Sequence, residues 1–169
     1  LAAAGARIGR LRVPAVAEAM DLAGILYTPE CYGTWAAQIE AAPELMYPPV
    51  RERFRAGASH RACDYVAAWQ RLDALRANWA RATAGADAVL MPTAAILPPA
   101  AAPLLADAAA FAAANLLTLR NTRIGNLMGG CALTLPTGRP SVGISLLAPP
   151  GDEARLLRLG AAAEAALAR

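Results

Sequence analysis

The chain has 169 residues, of which 57% are hydrophobic and 17% charged, with a formal net charge of +3; this is the length of one domain, enough to bury a core, and we read no internal boundary in it. All 16 basic residues are arginines spread along the chain and aromatics are only 5%, which speaks against a basic, aromatic-studded face for nucleic acid. Cys31, Cys63 and Cys131 show no CxxC spacing, so neither a disulfide framework nor a zinc site is indicated, no cofactor is called for, and a cytoplasmic location is the simplest reading.

In chain order, Leu1 to Arg10 reads as the end of a helix closing at Gly9. No signal peptide is visible, because Arg7, Arg10 and Arg12 break the first apolar stretch. The chain starts with Leu1 and not Met, which suggests a missing N-terminal part. The apolar run Leu22 to Tyr27 fits strand or helix equally, since periodicity alone does not separate them. From Ser59 to Ala84 the spacing predicts a long helix. Ala62, Tyr65, Val66, Trp69, Leu72, Leu75 and Trp79 recur every three or four residues, Ser59 is a cap, and Gly85 suits a left-handed residue after the end.

"ADAVLMPT" then reads as a buried strand stopped by Pro92. Residues 88–106 carry no charge, a length at which a membrane helix must be weighed. Pro92, Pro98, Pro99 and Pro103 interrupt it, so an extended loop is expected and not a membrane span. A helix follows, with Asp107 favouring its N-terminus. "NTRIGNLMGG" reads as a loop, "ALTLP" and "SVGISLL" as strands, and "TGRP" as the turn between them, with positive φ at Gly138. The last helix has Asp152 as its cap and Leu156, Leu157, Gly160 and Leu167 inward. Strands apolar on both faces that alternate with helices imply a layered α/β fold.

Taken alone, these residues assemble little chemistry. His60 is the one histidine, and its neighbour Ser59 does not share a helix face with it. Cys131 sits in an apolar strand context where a thiol is inert filler. "GNLMGG" lacks the lysine of a phosphate loop and reads as a packing or turn element.

Three stretches, "DAVLMPTAAILPP", "RIGNLMGGCALTLPTG" and "SVGISLLAPPGDEARLLRLGAAAE", resemble the C-terminal end of the amidase signature enzymes in order and spacing. The matching marks are Pro92-Thr93, Asn126 with Gly129, Pro136 with Gly138, and Val142-Gly143. Upstream, "VRERFRAG" followed by "DYVAAWQRLDALR" is similar to the Arg-rich segment and long helix of that family. The resemblance implies the C-terminal part of an α/β/α sandwich with a mixed central sheet. It also implies hydrolysis of a small-molecule amide by a serine nucleophile, a second serine in a cis peptide and a neutral lysine, a chemistry that needs an activated hydroxyl and donors aimed at the oxyanion. This chain has no lysine, and its serines, Ser59, Ser141 and Ser145, are not adjacent. The catalytic residues are therefore expected upstream of Leu1, and none within the chain.

Three residues are read as substrate-binding. Asn126 is an uncharged amide on a loop entering a buried strand. Thr93 follows a strand end, where open α/β sheets place ligands. Arg53 is similar to an arginine that holds a substrate carboxylate in the amidotransferase branch of the family, with Arg51 and Arg55 competing for the alignment. The alternatives are a non-catalytic amidase-like binding module and an amidotransferase subunit. An isolated chain would expose a sheet edge and aggregate or dimerise through it.

Overall fold

The computed structural model describes residues 1–168. Two compact units are present, Pro14–Asn78 and Leu1–Val13 with Trp79–Arg169.

The first unit is helical. It holds α1 (Pro14–Asp21), α2 (Ala23–Ala41), α3 (Pro48–Arg55) and the start of α4 (Ala62–Thr83), with 3-10 turns at Pro43–Leu45 and Ala56–Ser59. The run at Leu22 to Tyr27 is therefore helix. Pro29 lies inside α2, where it removes one backbone donor, and the Thr28 hydroxyl donates to the Gly24 carbonyl at 2.9 Å. Gly57 sits against this turn so closely that a Cβ there would lie 2.1 Å from the Thr28 carbonyl oxygen. The long helix expected from Ser59 is α4. Ser59 precedes it and closes the turn before it, donating to the Ala56 carbonyl at 2.8 Å. Ala68, Leu72 and Leu75 form the buried stripe of α4, while Val66 is exposed. Positive φ falls at Gly5, Gly129, Gly138, Gly151 and Ser141, not at Gly85.

The second unit carries a three-stranded sheet, β1 (Val89–Pro92), β2 (Cys131–Pro136) and β3 (Gly143–Ala148), in the order β1-β3-β2. Both pairings are antiparallel, with Met91 and Thr134 opposite Ser145, and Leu90 and Leu133 opposite Leu146. A mixed sheet was expected. The difference follows from the connections: β2 and β3 are joined by a short turn, which makes a hairpin, whereas parallel neighbours need a crossover of a dozen or more residues. The crossover from β1 to β2 does exist, through α5 (Ala101–Ala106) and α6 (Ala108–Met128), but β3 lies between the two strands it joins.

Side chains alternate across the sheet, and a helix meets each face. On one face Leu133, Leu135, Leu146 and Ala148 pack with Leu156 and Ala163 of α7 (Glu153–Leu167). There a Cβ on Gly160 would fall 2.0 Å from Leu133 Cδ2. On the other, Gly125 of α6 lies against Leu147 and Ala132. The chain is thus helix-rich α/β with a small antiparallel sheet. Only β3 is buried from Ser145 to Ala148; β1 and β2 alternate between half-buried and exposed, save for buried Leu135. The expectation of strands apolar and buried on both faces therefore holds for the central strand alone.

Other boundaries moved for local reasons. Residues 6–13 form no regular element and the expected N-terminal helix is a 3-10 turn at Ala2–Ala4. The expected extended loop after β1 contains α5, with Pro103 in its first turn, where its missing N–H costs nothing. Asp107 caps α6, accepting from the amides of Ala109 and Ala110 at 2.8 and 3.1 Å. Residues 121–128, expected as a loop, are the last turns of α6. That helix ends only at Gly129, with φ 70°, where Gly129 N–H donates to the Asn126 carbonyl and Gly130 N–H to the Gly125 carbonyl, a Schellman cap. In α7, Leu156 is buried but Leu157 is 61% exposed. Asp152 accepts from Arg155 at 3.2 Å and makes no cap hydrogen bond. No helix among the described residues is long and apolar enough to cross a membrane.

Candidate functional site

The polar centre of the sheet-bearing unit lies where β1 ends and β3 begins. The Thr93 amide donates to the Gly143 carbonyl at 3.0 Å, continuing the ladder one residue past β1. From there the Thr93 hydroxyl reaches Ser145 Oγ at 2.9 Å, and Thr134 Oγ1 reaches the same oxygen from β2 at 3.0 Å. Ser145 is 3% exposed. Gly143 makes this meeting possible, since a Cβ there would come within 3.1 Å of Thr93 Oγ1 and 3.3 Å of Thr134 Cγ2.

The strand end has a second tether. Asn121, 8% exposed on the buried side of α6, donates from Nδ2 to the Pro92 carbonyl at 2.8 Å. The register explains why this asparagine is the inward one: Asn121, Gly125 and Met128 are buried at steps of four and three residues. Asn126 stands on the last turn of the same helix with its side chain exposed. The structure thus brings Thr93 together with Ser145, Thr134 and Asn121, none of which the sequence marked as a binding residue.

Arg53 belongs to the other unit. On α3, Arg51 donates to the Pro43 carbonyl at 2.8 Å and to Glu52, and Arg55 pairs with Glu40 and Glu52. The Arg55 guanidinium holds the Glu40 carboxyl below the usual carboxylate range, and Arg51 does the same for Glu52. Among the described residues Arg53, half-buried on this helix, makes no such pair. In the same unit a cleft of about 340 Å³ is lined by Trp35, Gln38, Ile39, Leu45, Met46 and Phe54.

Ser145 touches two other hydroxyls and neither is a base, so nothing there activates it as a nucleophile. Among the described residues no three His, Cys, Asp or Glu side chains converge to hold a metal. Cys131 spends its thiol on backbone carbonyls, donating to that of Pro149 at 3.3 Å.

No family model matches the chain. A curated relative, 2-amino-5-chloromuconic acid deaminase of Comamonas testosteroni, is 36% identical over 174 residues, a match that covers 98% of this chain and 37% of that protein. Among solved structures, an amidase superposes with a TM-score of 0.80 at 23% identity, covering 98% of this chain and 39% of that one. The 6-aminohexanoate cyclic dimer hydrolase, solved with its substrate, gives 0.75 at 23% identity, covering 99% and 40%. Sequence and fold agree with the resemblance of the motifs: the chain is a relative of the amidase signature enzymes along its own length and spans about two-fifths of theirs.

Proposed function

We propose that these residues are the C-terminal part of an amidase-type hydrolase that cleaves a carboxylic acid amide through an acyl-enzyme, with nucleophile and base upstream of Leu1. The observation that carries this is the match to 98% of this chain but only 37% of its relative, in a sequence that holds no lysine. In such an enzyme an activated hydroxyl attacks the amide carbonyl, prealigned donors receive the oxyanion, the amine leaves and water releases the acid. This chain would supply binding. Thr93, at its strand end, and Asn126 would face the substrate, and Arg53, which pairs with no carboxylate among the described residues, would take a substrate carboxylate through its two-pronged fork. The relative's name describes deamination of an acid, which favours a small-molecule substrate carrying such a group. The exposed flanks of β1 and β2 would pair with strands of the remaining protein, completing a mixed sheet and an α/β/α sandwich in one domain, in the cytoplasm. Residues 1–169 by themselves would instead pair edge to edge as dimers.

A fluorophosphonate that traps activated serine hydroxyls tests the reading. The intact natural protein is expected to take up one equivalent, mapping to a peptide upstream of Leu1. Labelling at Ser145, Ser141 or Ser59, or no labelling at all, would overturn it.

A further inference from the structure

We propose that Ser145 is a positioning residue, which holds the Thr93 hydroxyl as a hydrogen-bond donor to an oxygen of the substrate, with Thr134 at the far end of the same hydroxyl chain. This rests on the amide hydrolase reading above.

Ser145 lies inside the sheet, on β3. It occupies the centre of a strand otherwise made of Gly, Ile, Leu and Ala and is 3% exposed, a position where alanine would fill the space. A buried hydroxyl is tolerated when it is hydrogen-bonded, and here its two partners come from the two flanking strands, at 2.9 and 3.0 Å.

Three hydroxyls carry three protons and two contacts use two of them, so one proton points out of the cluster. Ser145, enclosed between its partners, cannot be its source; Thr93 or Thr134 must be. Thr134 is exposed, and water can donate to its remaining lone pairs. At the β1 end Pro92 has no N–H, its carbonyl takes the Asn121 amide, and the Thr93 N–H is given to the Gly143 carbonyl. Of the two orders that these distances allow, the one that runs from Thr134 through Ser145 to Thr93 makes the Thr93 O–H the outward donor, polarised by the two hydroxyls behind it, and it is the order proposed. Ser145 thereby aims Thr93 before the ligand arrives, so the ordering cost is met in advance.

The experiment uses the intact natural protein with propionamide, benzamide and adipamide as probes, and compares wild type with Thr93→Val, Ser145→Ala, Ser145→Cys and the Thr93→Val/Ser145→Ala double variant. Thr93→Val and Ser145→Ala are each expected to lower kcat/KM roughly threefold to tenfold, the range of one neutral hydrogen bond. The double variant should lose no more than Thr93→Val alone. Ser145→Cys keeps the side-chain shape with a larger, weakly donating sulfur, so its Tm should fall little while it loses kcat/KM as Ser145→Ala does. Unchanged kcat/KM in Ser145→Ala or Ser145→Cys, or additive losses in the double variant, would overturn the positioning role while wild-type turnover leaves the hydrolase reading intact. Absence of turnover in the wild type would remove that reading itself and this role with it.

Discussion

In the helical unit Gly57 lies against backbone, the Thr28 carbonyl and Pro29 nitrogen, whereas in the sheet-bearing unit Gly160 of α7 lies against the end of a leucine side chain, Leu133. Both contacts close a layer in an alanine-rich chain by omitting a Cβ. They differ in what can yield, because a leucine can change rotamer while the carbonyl of a helix cannot move without its turn. The same pair of units differs in polar chemistry. Pro14–Asn78 is laced with exposed ion pairs, among them Arg55 with Glu40, Arg61 with Asp64 and Arg71 with Glu18, while the sheet-bearing unit, which pairs Arg155 with Asp87 and Asp152 at its surface, also buries polar contacts, at Ser145 and Asn121.

That contrast sets the order of mutational effects. Gly57→Ala forces a Cβ into backbone at 2.1 Å and is expected to cost about 3 kcal/mol, seen as a lower urea midpoint for the helical unit by hydrogen exchange. If it costs less than Gly160→Ala, the distinction between backbone and side-chain contact fails. Asp107→Ala removes the two capping bonds of α6 and should cost about 1 kcal/mol in the other unit, with Asp107→Asn restoring most of it. For Gly160→Ala the helix gains about 1 kcal/mol of propensity, which offsets much of the repacking of Leu133, so its Tm should move least of the three.

Acid should separate the units further. Glu40 and Glu52 have folded-state values depressed below 4.5 by Arg55 and Arg51. Such groups stabilise above their unfolded value and lose that contribution as pH falls through the folded one. The helical unit is therefore expected to lose stability as pH falls below about 4.5. The loss should be small and weakened by salt, because the pairs are exposed. A Glu40→Gln variant with an unchanged acid limb in a pH series of urea melts would contradict this assignment.

Much of this was legible in sequence where the signal is local. The existence of α4 with Leu72 and Leu75 inward, though not the exposure of Ala62 and Val66, the place of Asp107 at the start of α6 and the positive φ at Gly138 all arise within one or two turns of chain. The end of α6 was not legible, because "NTR" looks like loop composition, yet nothing in it breaks a helix. Thr122 lies on the exposed side, Asn121 turns inward, and termination waits for Gly129 and Gly130. That shift moved Asn126 from an expected loop onto an exposed helix turn and left Asn121 unnoticed. Sheet order and the hydroxyl cluster were silent for another reason. A lone Ser145 in an apolar strand means nothing until pairing over 52 and 11 residues of sequence brings Thr93 and Thr134 to it.

The most direct test of the central claim is ammonia release from a primary-amide panel, measured side by side for the intact natural protein and for residues 1–169 alone. The expected result is steady release by the intact protein and none by residues 1–169. Release by residues 1–169 alone, or none by the intact protein across the panel, would contradict a binding portion whose nucleophile and base lie upstream.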